Sequence, residues 1–152
     1  SSPGYLERLT HLVTNYTVPL DLIEIEITES TMTEDFDFTI ALAHTYRELG
    51  FTVAMDDFGT GYSSLNTLRE LPVDVLKIDK DFLQESENSI KGKRIIQGIL
   101  DMSKDLEITT VCEGVETQMQ LDFLKKSPCN FVQGYLFSRP IPYDEFQKRY
   151  LD

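Results

Sequence analysis

The segment around which this chain is organised reads Ala54-Met55-Asp56-Asp57-Phe58-Gly59-Thr60-Gly61-Tyr62-Ser63-Ser64-Leu65. Two adjacent carboxylates end an apolar run, and a Gly-x-Gly turn flanked by hydroxyl side chains follows at once. Adjacent carboxylates repel each other, so a simple helix cap would not require the pair Asp56-Asp57. A strand that ends on two acids and then turns tightly indicates a metal-binding or catalytic site at the strand end.

Strand-like and helix-like patterns alternate along the chain on both sides of this segment. The patterns predict strands at residues 20–27, 52–56, 74–79, 108–112 and 131–137. They predict helices at residues 5–16, 35–49, 64–70, 91–105, 117–126 and 143–150, with a polar loop from the third strand through Asn88. Capping-box spacing precedes two of the helices, at Thr31 with Glu34 and at Thr117 with Gln120. The unbroken alternation favours an α/β fold with parallel strands and crossover helices.

Acidic or amide side chains stand at the carboxyl ends of the predicted strands. In a closed parallel barrel all of these strand ends lie on one rim, which is where active sites occur. The residues expected on that rim are Glu26, Glu29, Asp56, Asp57, Asp79, Glu113, Glu116 and Gln133. A single strand-end acid can also cap the following helix. That alternative stays open for Glu34, Asp35 and Asp81.

The composition favours one ordinary globular domain, residues 1–152, and limits its partners. With 14 basic and 26 acidic residues the net charge is −12, which argues against binding nucleic-acid polymers or anionic membranes. Clustered carboxylates can instead hold divalent cations. No apolar stretch approaches the ~20 residues of a membrane span. We therefore expect a cytoplasmic domain, which other domains of a longer protein could still anchor to a membrane.

The cysteines and histidines do not suggest a further metal centre. Cys112 and Cys129 lack the spacing of a zinc site, and we expect them to be reduced cytosolic thiols. His11 and His44 fall on predicted helices away from the rim, so we expect surface or core histidines rather than ligands.

Five segments in a fixed order carry a resemblance to a known family. They are Glu26-Ile27-Thr28-Glu29-Ser30, the loop from Asp56 to Leu65, Leu76-Lys77-Ile78-Asp79, Glu113-Gly114-Val115-Glu116-Thr117 and Gln133-Gly134-Tyr135-Leu136-Phe137-Ser138-Arg139-Pro140. In these segments the chain resembles the EAL family, the bacterial phosphodiesterases that hydrolyse cyclic di-GMP. The motifs span nearly the whole chain, whereas a Gly-x-Gly turn alone would mean little.

The resemblance implies a role for each matching residue. Four residues are implied to bind two divalent cations, Mg²⁺ or Mn²⁺: Glu26, Asp56, Asp57 and Glu113. Lys77 is implied to contact the attacking water as a catalytic residue, with Glu113 beside the second metal, and Glu29 to hold the Gly-rich loop in shape by hydrogen bonds. Three positions are implied to bind substrate or to support the rim: Asp79, Glu116 and Gln133.

The chemistry of phosphodiester hydrolysis needs such a set of residues. Two divalent ions neutralise the phosphate charge and lower the pKa of a shared water. Oxygen ligands favour Mg²⁺ or Mn²⁺ over zinc. A lysine ammonium near the nucleophile can orient it and stabilise charge in the transition state. For Lys77 the other interpretation is a lysine that extends from a strand end into solvent.

The amino-terminal motifs of the family are absent from this sequence. The Glu-Ala-Leu segment and an upstream metal-binding asparagine are not found, and a complete barrel takes about 250 residues and eight strands. We therefore expect an incomplete TIM-type (β/α) barrel of about five parallel strands that lacks its amino-terminal strands, the carboxyl-terminal part of a single, truncated EAL domain. We expect this chain alone to be inactive. Its exposed sheet edges predict association with a second copy.

Three functions compete. The first is metal-dependent hydrolysis of cyclic di-GMP to linear pGpG by the parent domain, which is a hydrolase of bacterial second-messenger signalling. The second is a noncatalytic EAL-like module that binds the nucleotide or a protein partner. The third is an unrelated acid-rimmed barrel such as a metal-dependent lyase, which does not explain the combined loop and Lys-Ile-Asp pattern. The resemblance also implies that a parent protein can carry diguanylate-cyclase or sensor domains.

Overall fold

The computed structural model describes residues 4–28, 30–31, 35–59, 65–87 and 89–151. It divides into two compact units, Ser1–Leu76 and Lys77–Asp152, which are described separately. The helices are α1 (Tyr5–Asn15), α2 (Phe36–Leu49), α3 (Leu65–Glu70), α4 (Lys80–Glu87), α5 (Ile90–Asp105), α6 (Gln118–Leu124) and α7 (Tyr143–Tyr150). The strands are β1 (Glu24–Thr28), β2 (Thr52–Phe58), β3 (Val75–Ile78), β4 (Thr109–Cys112) and β5 (Phe131–Val132).

The strands pair in the order in which they occur along the chain. The order is β1-β2-β3 in the first unit and β3-β4-β5 in the second, because the unit boundary falls inside β3. β1 runs parallel to β2, and β4 runs parallel to β5. The predicted α/β class with five parallel strands and intervening helices is therefore confirmed. The assignment of residues 1–152 to a single domain stays a prediction.

The first unit packs α2 against the β1–β2 pair. β1 and β2 are in register from Glu24 opposite Thr52 to Thr28 opposite Asp56. Tyr46 of α2 meets Phe51 edge-to-face, with ring centroids 6.0 Å apart. The most deeply buried side chains of this unit include Ala43, Val53, Ala54, Met55 and Leu76.

Local signals define both ends of α2. Asp35 is the N-cap, and its side chain accepts a hydrogen bond from Phe38 N at 3.1 Å. Gly50 ends the helix in the left-handed conformation, with φ 97°, which glycine adopts without a steric penalty. The helix predicted at residues 35–49 is thus confirmed, with Asp35 as its cap. Of the predicted capping box, Thr31 Oγ1 lies 2.8 Å from Thr28 Oγ1, and Glu34 lies outside the described residues.

Asp74 connects α2 to the start of β2. Its Oδ1 lies 2.9 Å from Nη2 of Arg47, its Oδ2 accepts a hydrogen bond from Val53 N at 2.9 Å, and its own N–H donates to Val53 O at 2.8 Å. One side chain thus satisfies a strand N–H and pairs with the last turn of a helix. We infer that Asp74 stabilises the first unit.

Replacing Asp74 by alanine is expected to lower the free energy of unfolding by about 2 kcal/mol, because the charge-assisted hydrogen bond is lost and Val53 N is left without its acceptor. The matched control Asp74→Asn keeps an acceptor for Val53 N and loses only the half-exposed ion pair, which is worth about 0.5 kcal/mol. Urea denaturation of the three proteins measures both values. Equal stability of the alanine variant and the native chain would contradict the assignment.

The second unit has its own hydrophobic core. The buried cluster is formed by Ile78, Leu83, Ile96, Leu100, Cys112, Val115, Leu121 and Leu124. Thr117 begins α6 with a capping box: its side chain accepts from Gln120 N, and the Gln120 side chain accepts from Thr117 N. This capping box was predicted from the sequence and is confirmed.

Three predicted elements differ from the structure. Residues 20–27 do not form one strand, because Leu20–Leu22 is a 3₁₀ turn closed by hydrogen bonds from Leu22 N to Pro19 O and from Ile23 N to Leu20 O. An apolar run has the same composition in a turn as in a strand, so periodicity alone did not separate them.

The predicted polar loop through Asn88 is wrong over residues 80–87, which form α4. Asp79 Oδ1 accepts a hydrogen bond from Asp81 N at 2.7 Å and so begins this helix. Leu83 is 2% exposed in the core cluster and Phe82 packs against that cluster. Tertiary burial of these two side chains stabilises a helix whose sequence is otherwise polar.

The fifth strand is shorter than predicted. Only Phe131–Val132 pairs with β4, instead of residues 131–137. Beyond it the chain turns, with Phe137 N donating to Gly134 O and Leu136 N donating to Val115 O.

In the described part of the chain, no helix has the length and apolar content to cross a membrane.

Candidate catalytic and metal-binding residues

Glu26 and Asp56 lie on one face of the β1–β2 pair. Glu26 is opposite Ala54, and Thr28 is opposite Asp56. Side chains two residues apart on a strand point the same way, and residues opposite each other share a face, so Glu26 and Asp56 share theirs. The Oδ1 atom of Asp56 is buried. Burying a carboxylate oxygen is costly unless positive charge or hydrogen bonds compensate it.

The backbone turns directly after Asp56. Asp57 has φ 58° and Gly59 has φ 104°, so two residues of the acidic segment adopt the left-handed region. Aspartate tolerates this region better than most residues and glycine adopts it freely. Because of this backbone conformation, the Asp57 side chain does not follow the regular alternation of β2 side chains between the two faces of the sheet. The local sequence Asp-Asp-Phe-Gly therefore suits the backbone conformation at this strand end.

Lys77 and Glu113 are in contact in the second unit. Lys77 Nζ lies 3.0 Å from Glu113 Oε1, and the two side chains are only 13% and 23% exposed. Glu113 directly follows β4, and its N–H donates to Ile78 O at 2.9 Å. The structure thus brings together two residues that sequence analysis placed at successive strand ends, and it holds the ammonium in a mostly buried position.

Glu116 and Asp79 both have structural partners. Glu116 Oε1 accepts from Lys80 Nζ at 2.7 Å, and this hydrogen bond and charge raise the pKa of Lys80. Asp79 begins α4, as described above. The Gln133 side chain is exposed, while its backbone N–H donates to Cys112 O and its carbonyl accepts from Val115 N. Substrate contact by these three residues stays a prediction.

The remaining predicted positions either lie on exposed helix surfaces or fall outside the described residues. Glu29 and the loop residues 60–64 lie outside the described part of the chain, so their predicted roles stay predictions. His11 on α1 and His44 on α2 are exposed on helices, as expected. No cluster of three or more His, Cys, Asp or Glu side chains suited to a metal ion occurs among the residues that the structure describes.

The donor chemistry fits a hard divalent cation, but only in part. Glu26 and Asp56 offer carboxylate oxygens on one face, which are the ligands Mg²⁺ and Mn²⁺ prefer. Two carboxylates supply only part of the octahedral coordination that Mg²⁺ prefers, and water or phosphate oxygens would supply the rest. The described residues therefore supply part of a ligand set.

Two glycines of the family-like segments have a packing role that sequence analysis did not identify. A Cβ on Gly134 would overlap the backbone O and N atoms of Val115. Gly114 has φ 64°, and a Cβ there would meet the Lys80 side chain. The motifs contain glycine at these positions because the backbone approaches its neighbours too closely for a side chain. The only signal in the sequence was the glycine itself.

Comparison with known proteins identifies relatives of this chain. The model of the EAL domain family matches residues 1–140. The chain is 42% identical over 148 residues to the cyclic di-GMP phosphodiesterase NbdA of Pseudomonas aeruginosa, covering 95% of this chain and 19% of NbdA. It is 34% identical over 142 residues to the bifunctional diguanylate cyclase/cyclic di-GMP phosphodiesterase MucR of the same species, covering 93% of this chain and 21% of MucR. The chain spans about a fifth of the length of these relatives.

Solved structures of EAL-domain proteins are also similar to this chain. The structure of the PaMucR phosphodiesterase in complex with c-di-GMP matches with a TM-score of 0.87 and 33% identity, over 96% of this chain and 59% of that chain. Klebsiella pneumoniae BlrP1, in a manganese/cyclic di-GMP complex, matches with a TM-score of 0.84 and 32% identity, over 91% of this chain and 36% of that chain. The predicted partial barrel agrees with this coverage. The chain therefore belongs to the EAL domain family.

Proposed function

We propose that this chain is the carboxyl-terminal part of a single EAL domain that hydrolyses cyclic di-GMP to linear pGpG with a divalent metal, Mg²⁺ or Mn²⁺. The observation that carries the proposal is the 42% identity to the cyclic di-GMP phosphodiesterase NbdA over 95% of the chain. The strand-end residues of the five family-like segments, from Glu26 to Gln133, are present in the sequence, whereas the Glu-Ala-Leu segment and the upstream asparagine are not.

Lys77 is proposed to position the attacking water. An ammonium has three hydrogen-bond donors, and here one is directed at Glu113 at 3.0 Å. The pairing restricts the rotation of the long Lys77 side chain. A cation held in a mostly buried place can orient a nucleophile and stabilise negative charge as it develops.

The proposed metal ligands are Glu26, Asp56, Asp57 and Glu113. A bound divalent cation would neutralise phosphate charge and make water a better nucleophile at neutral pH. Glu29 is proposed to support the loop after Asp57. Three residues are proposed to bind substrate or to support the site: Asp79, Glu116 and Gln133.

The test is hydrolysis by the complete domain that contains this chain. Purified domain with cyclic di-GMP and Mn²⁺ or Mg²⁺ should yield pGpG, measured by chromatography, and chelation of the metal should stop the reaction. Binding of the nucleotide without any product would overturn the enzymatic proposal and favour a noncatalytic signalling module.

The 152-residue chain alone is proposed to be inactive. It covers 59% of the solved PaMucR phosphodiesterase, and its described residues contribute an incomplete ligand set. The assay is the same as for the complete domain, at equal protein concentration. Metal-dependent formation of pGpG by the 152-residue chain would overturn this part of the proposal while leaving the activity of the family domain in place.

Replacing Lys77 by methionine in the complete domain is expected to lower kcat by about 100-fold, because a charge aimed at the reacting group is lost. Methionine keeps most of the side-chain volume, so the fold should persist. The control is Lys104→Met at the exposed end of α5, which removes the same charge from a helix that carries none of the candidate catalytic residues. Steady-state kinetics of the two variants and the native domain measure kcat. An unchanged kcat for Lys77→Met would contradict a catalytic role of Lys77.

Self-association through the sheet edges is also proposed. β1 and β5 end the strand order, and Phe131 is 63% exposed on β5. Exposed edges with apolar side chains favour pairing with another chain. Sedimentation equilibrium of the 152-residue chain should show a dimer that dissociates on dilution, and a monomer at all concentrations would contradict it. A cytoplasmic location and fusion to diguanylate-cyclase or sensor domains, as the name of MucR suggests for that protein, remain proposals.

A further inference from the structure

The two cysteines of the chain, which are 17 residues apart in sequence, meet in the second unit. Their Sγ atoms lie 3.4 Å apart, and both are free thiols. A disulfide requires a separation of about 2.05 Å between the sulfurs, so a small shift would suffice to bond them. The closeness is built into the β4–β5 pair, where Cys112 is opposite Val132.

A second set of contacts holds Cys129 in this place. Asn130 Oδ1 accepts from Thr110 N at 2.9 Å and lies 3.0 Å from Thr110 Oγ1, and Asn130 N donates to Thr110 Oγ1 at 3.2 Å. These hydrogen bonds fasten the segment before β5 to β4. Pairing of β4 with the segment before β5 therefore places the two cysteines side by side.

The two thiols differ in their surroundings. Cys112 is completely buried in the core cluster, whereas Cys129 packs against that cluster from a partly exposed position. Hydrogen bonding with Cys112 lowers the pKa of Cys129 against the opposing effect of burial, with further contributions from hydrogen bonds to Thr110 and to the backbone of Cys112 and Phe131. Solvent-borne oxidants can thus reach the partly exposed Cys129 thiol before they reach the completely buried Cys112.

We propose that Cys112 and Cys129 form a reversible intramolecular disulfide, with Cys129 as the thiol that reacts with hydroperoxides and Cys112 as the thiol that resolves the product. Formation of the disulfide requires neither the metal nor the nucleotide of the proposed hydrolysis.

Hydrogen peroxide oxidises the two thiols to the disulfide in two steps. The Cys129 thiolate attacks hydrogen peroxide, so that an S–O bond forms, the O–O bond breaks and hydroxide leaves. The Cys112 sulfur then attacks the sulfenic sulfur, which forms the S–S bond, breaks the S–O bond and releases water with the proton of the Cys112 thiol. The two thiols lose two electrons in total, and peroxide is reduced to water. A small thiol such as glutathione restores both cysteines by exchange.

The position of the pair links it to the candidate site. Cys112 directly precedes Glu113, whose side chain pairs with Lys77. Bringing the sulfurs together draws the end of β4 towards the segment before β5. The redox state of the pair therefore bears on a strand end that carries a candidate catalytic residue.

The test is disulfide mapping on the reduced 152-residue chain treated with one equivalent of hydrogen peroxide at low protein concentration. Remaining thiols are alkylated and the chain is digested with trypsin, which separates the two cysteines at Lys125 and Lys126. Mass spectrometry should show the linked Cys112–Cys129 peptides as the main oxidised product, and dithiothreitol should reverse it. Mainly intermolecular links, or overoxidised Cys129 without a link, would overturn the proposal.

Single variants assign the two roles. Cys112→Ala should leave a sulfenic acid on Cys129 that dimedone traps, and Cys129→Ser should slow the reaction of the chain with peroxide by about tenfold or more. A Cys129→Ser chain that reacts as fast as the native one would overturn the assignment. Because substitution of the buried Cys112 could unfold the chain, the native sequence is also oxidised in denaturant. The yield of the linked peptides should fall there, and an equal yield would overturn the role of the folded geometry.

Discussion

Replacing Asp56 by asparagine in the complete domain is expected to lower the proposed metal-dependent hydrolysis of cyclic di-GMP by about 100-fold or more, because loss of the charge of a proposed metal ligand would remove several kcal/mol of charge stabilisation. The substitution keeps the shape of the side chain and removes only its charge. Asp56 combines a buried carboxylate oxygen with a position on the same face as Glu26. Steady-state hydrolysis across a Mn²⁺ concentration series should also show that the variant needs more metal.

A stability measurement separates this role from a structural one. Asp56 is next to Asp57, and two adjacent carboxylates repel each other in the absence of metal. Without metal, Asp56→Asn should therefore unfold at the same or a higher temperature than the native protein. The matched control is Glu48→Gln, an exposed carboxylate on α2, which should change neither property. Equal activity of the Asp56 and Glu48 variants would contradict the assignment of Asp56 as a ligand.

The second large effect is expected at Gly134. Gly134→Ala should lower the free energy of unfolding by about 3 kcal/mol, because the added methyl overlaps the backbone of Val115. The backbone cannot move aside easily, since Val115 is fully buried and its N–H and C=O bond Gln133 O and Leu136 N at 3.0 Å each. By thermal unfolding we expect a midpoint lower by about 10 °C.

Gly98 provides the control for the same chemical change. It lies within α5, and a Cβ there would meet no atom within 4 Å. Gly98→Ala should therefore stabilise the chain by about 1 kcal/mol through helix propensity. If Gly134→Ala unfolded at the native temperature, the close approach of the two backbone segments would be wrong.

Elements with local signals were predictable from the sequence. The Thr117–Gln120 capping box and the Gly50 helix end depend on hydrogen bonds and backbone angles within a few residues, so the sequence pattern contains the whole interaction. The alternation of strands and helices was predictable for the same reason. The candidate strand-end acids followed from that alternation.

Elements whose state depends on distant residues were not predictable in this way. Helix α4 has a polar sequence and is stabilised by burial of Leu83 among residues from other elements of its unit. Strand β5 ends early because the chain turns at Gly134 to bond Val115. In each case a tertiary contact decided between two local conformations that the sequence allowed about equally.

By itself, the sequence determined the α/β class, the order of its elements, the strand-end acids around Asp56-Asp57 and the membership of the EAL family. Only the tertiary structure decided that Lys77 reaches Glu113, that Lys80 reaches Glu116 across 36 residues, and that Cys112 meets Cys129. The physical reason is the sequence separation between the interacting residues. Periodicity and capping are encoded within one or two turns of chain, whereas these contacts depend on strand register and on turns that bring distant segments together.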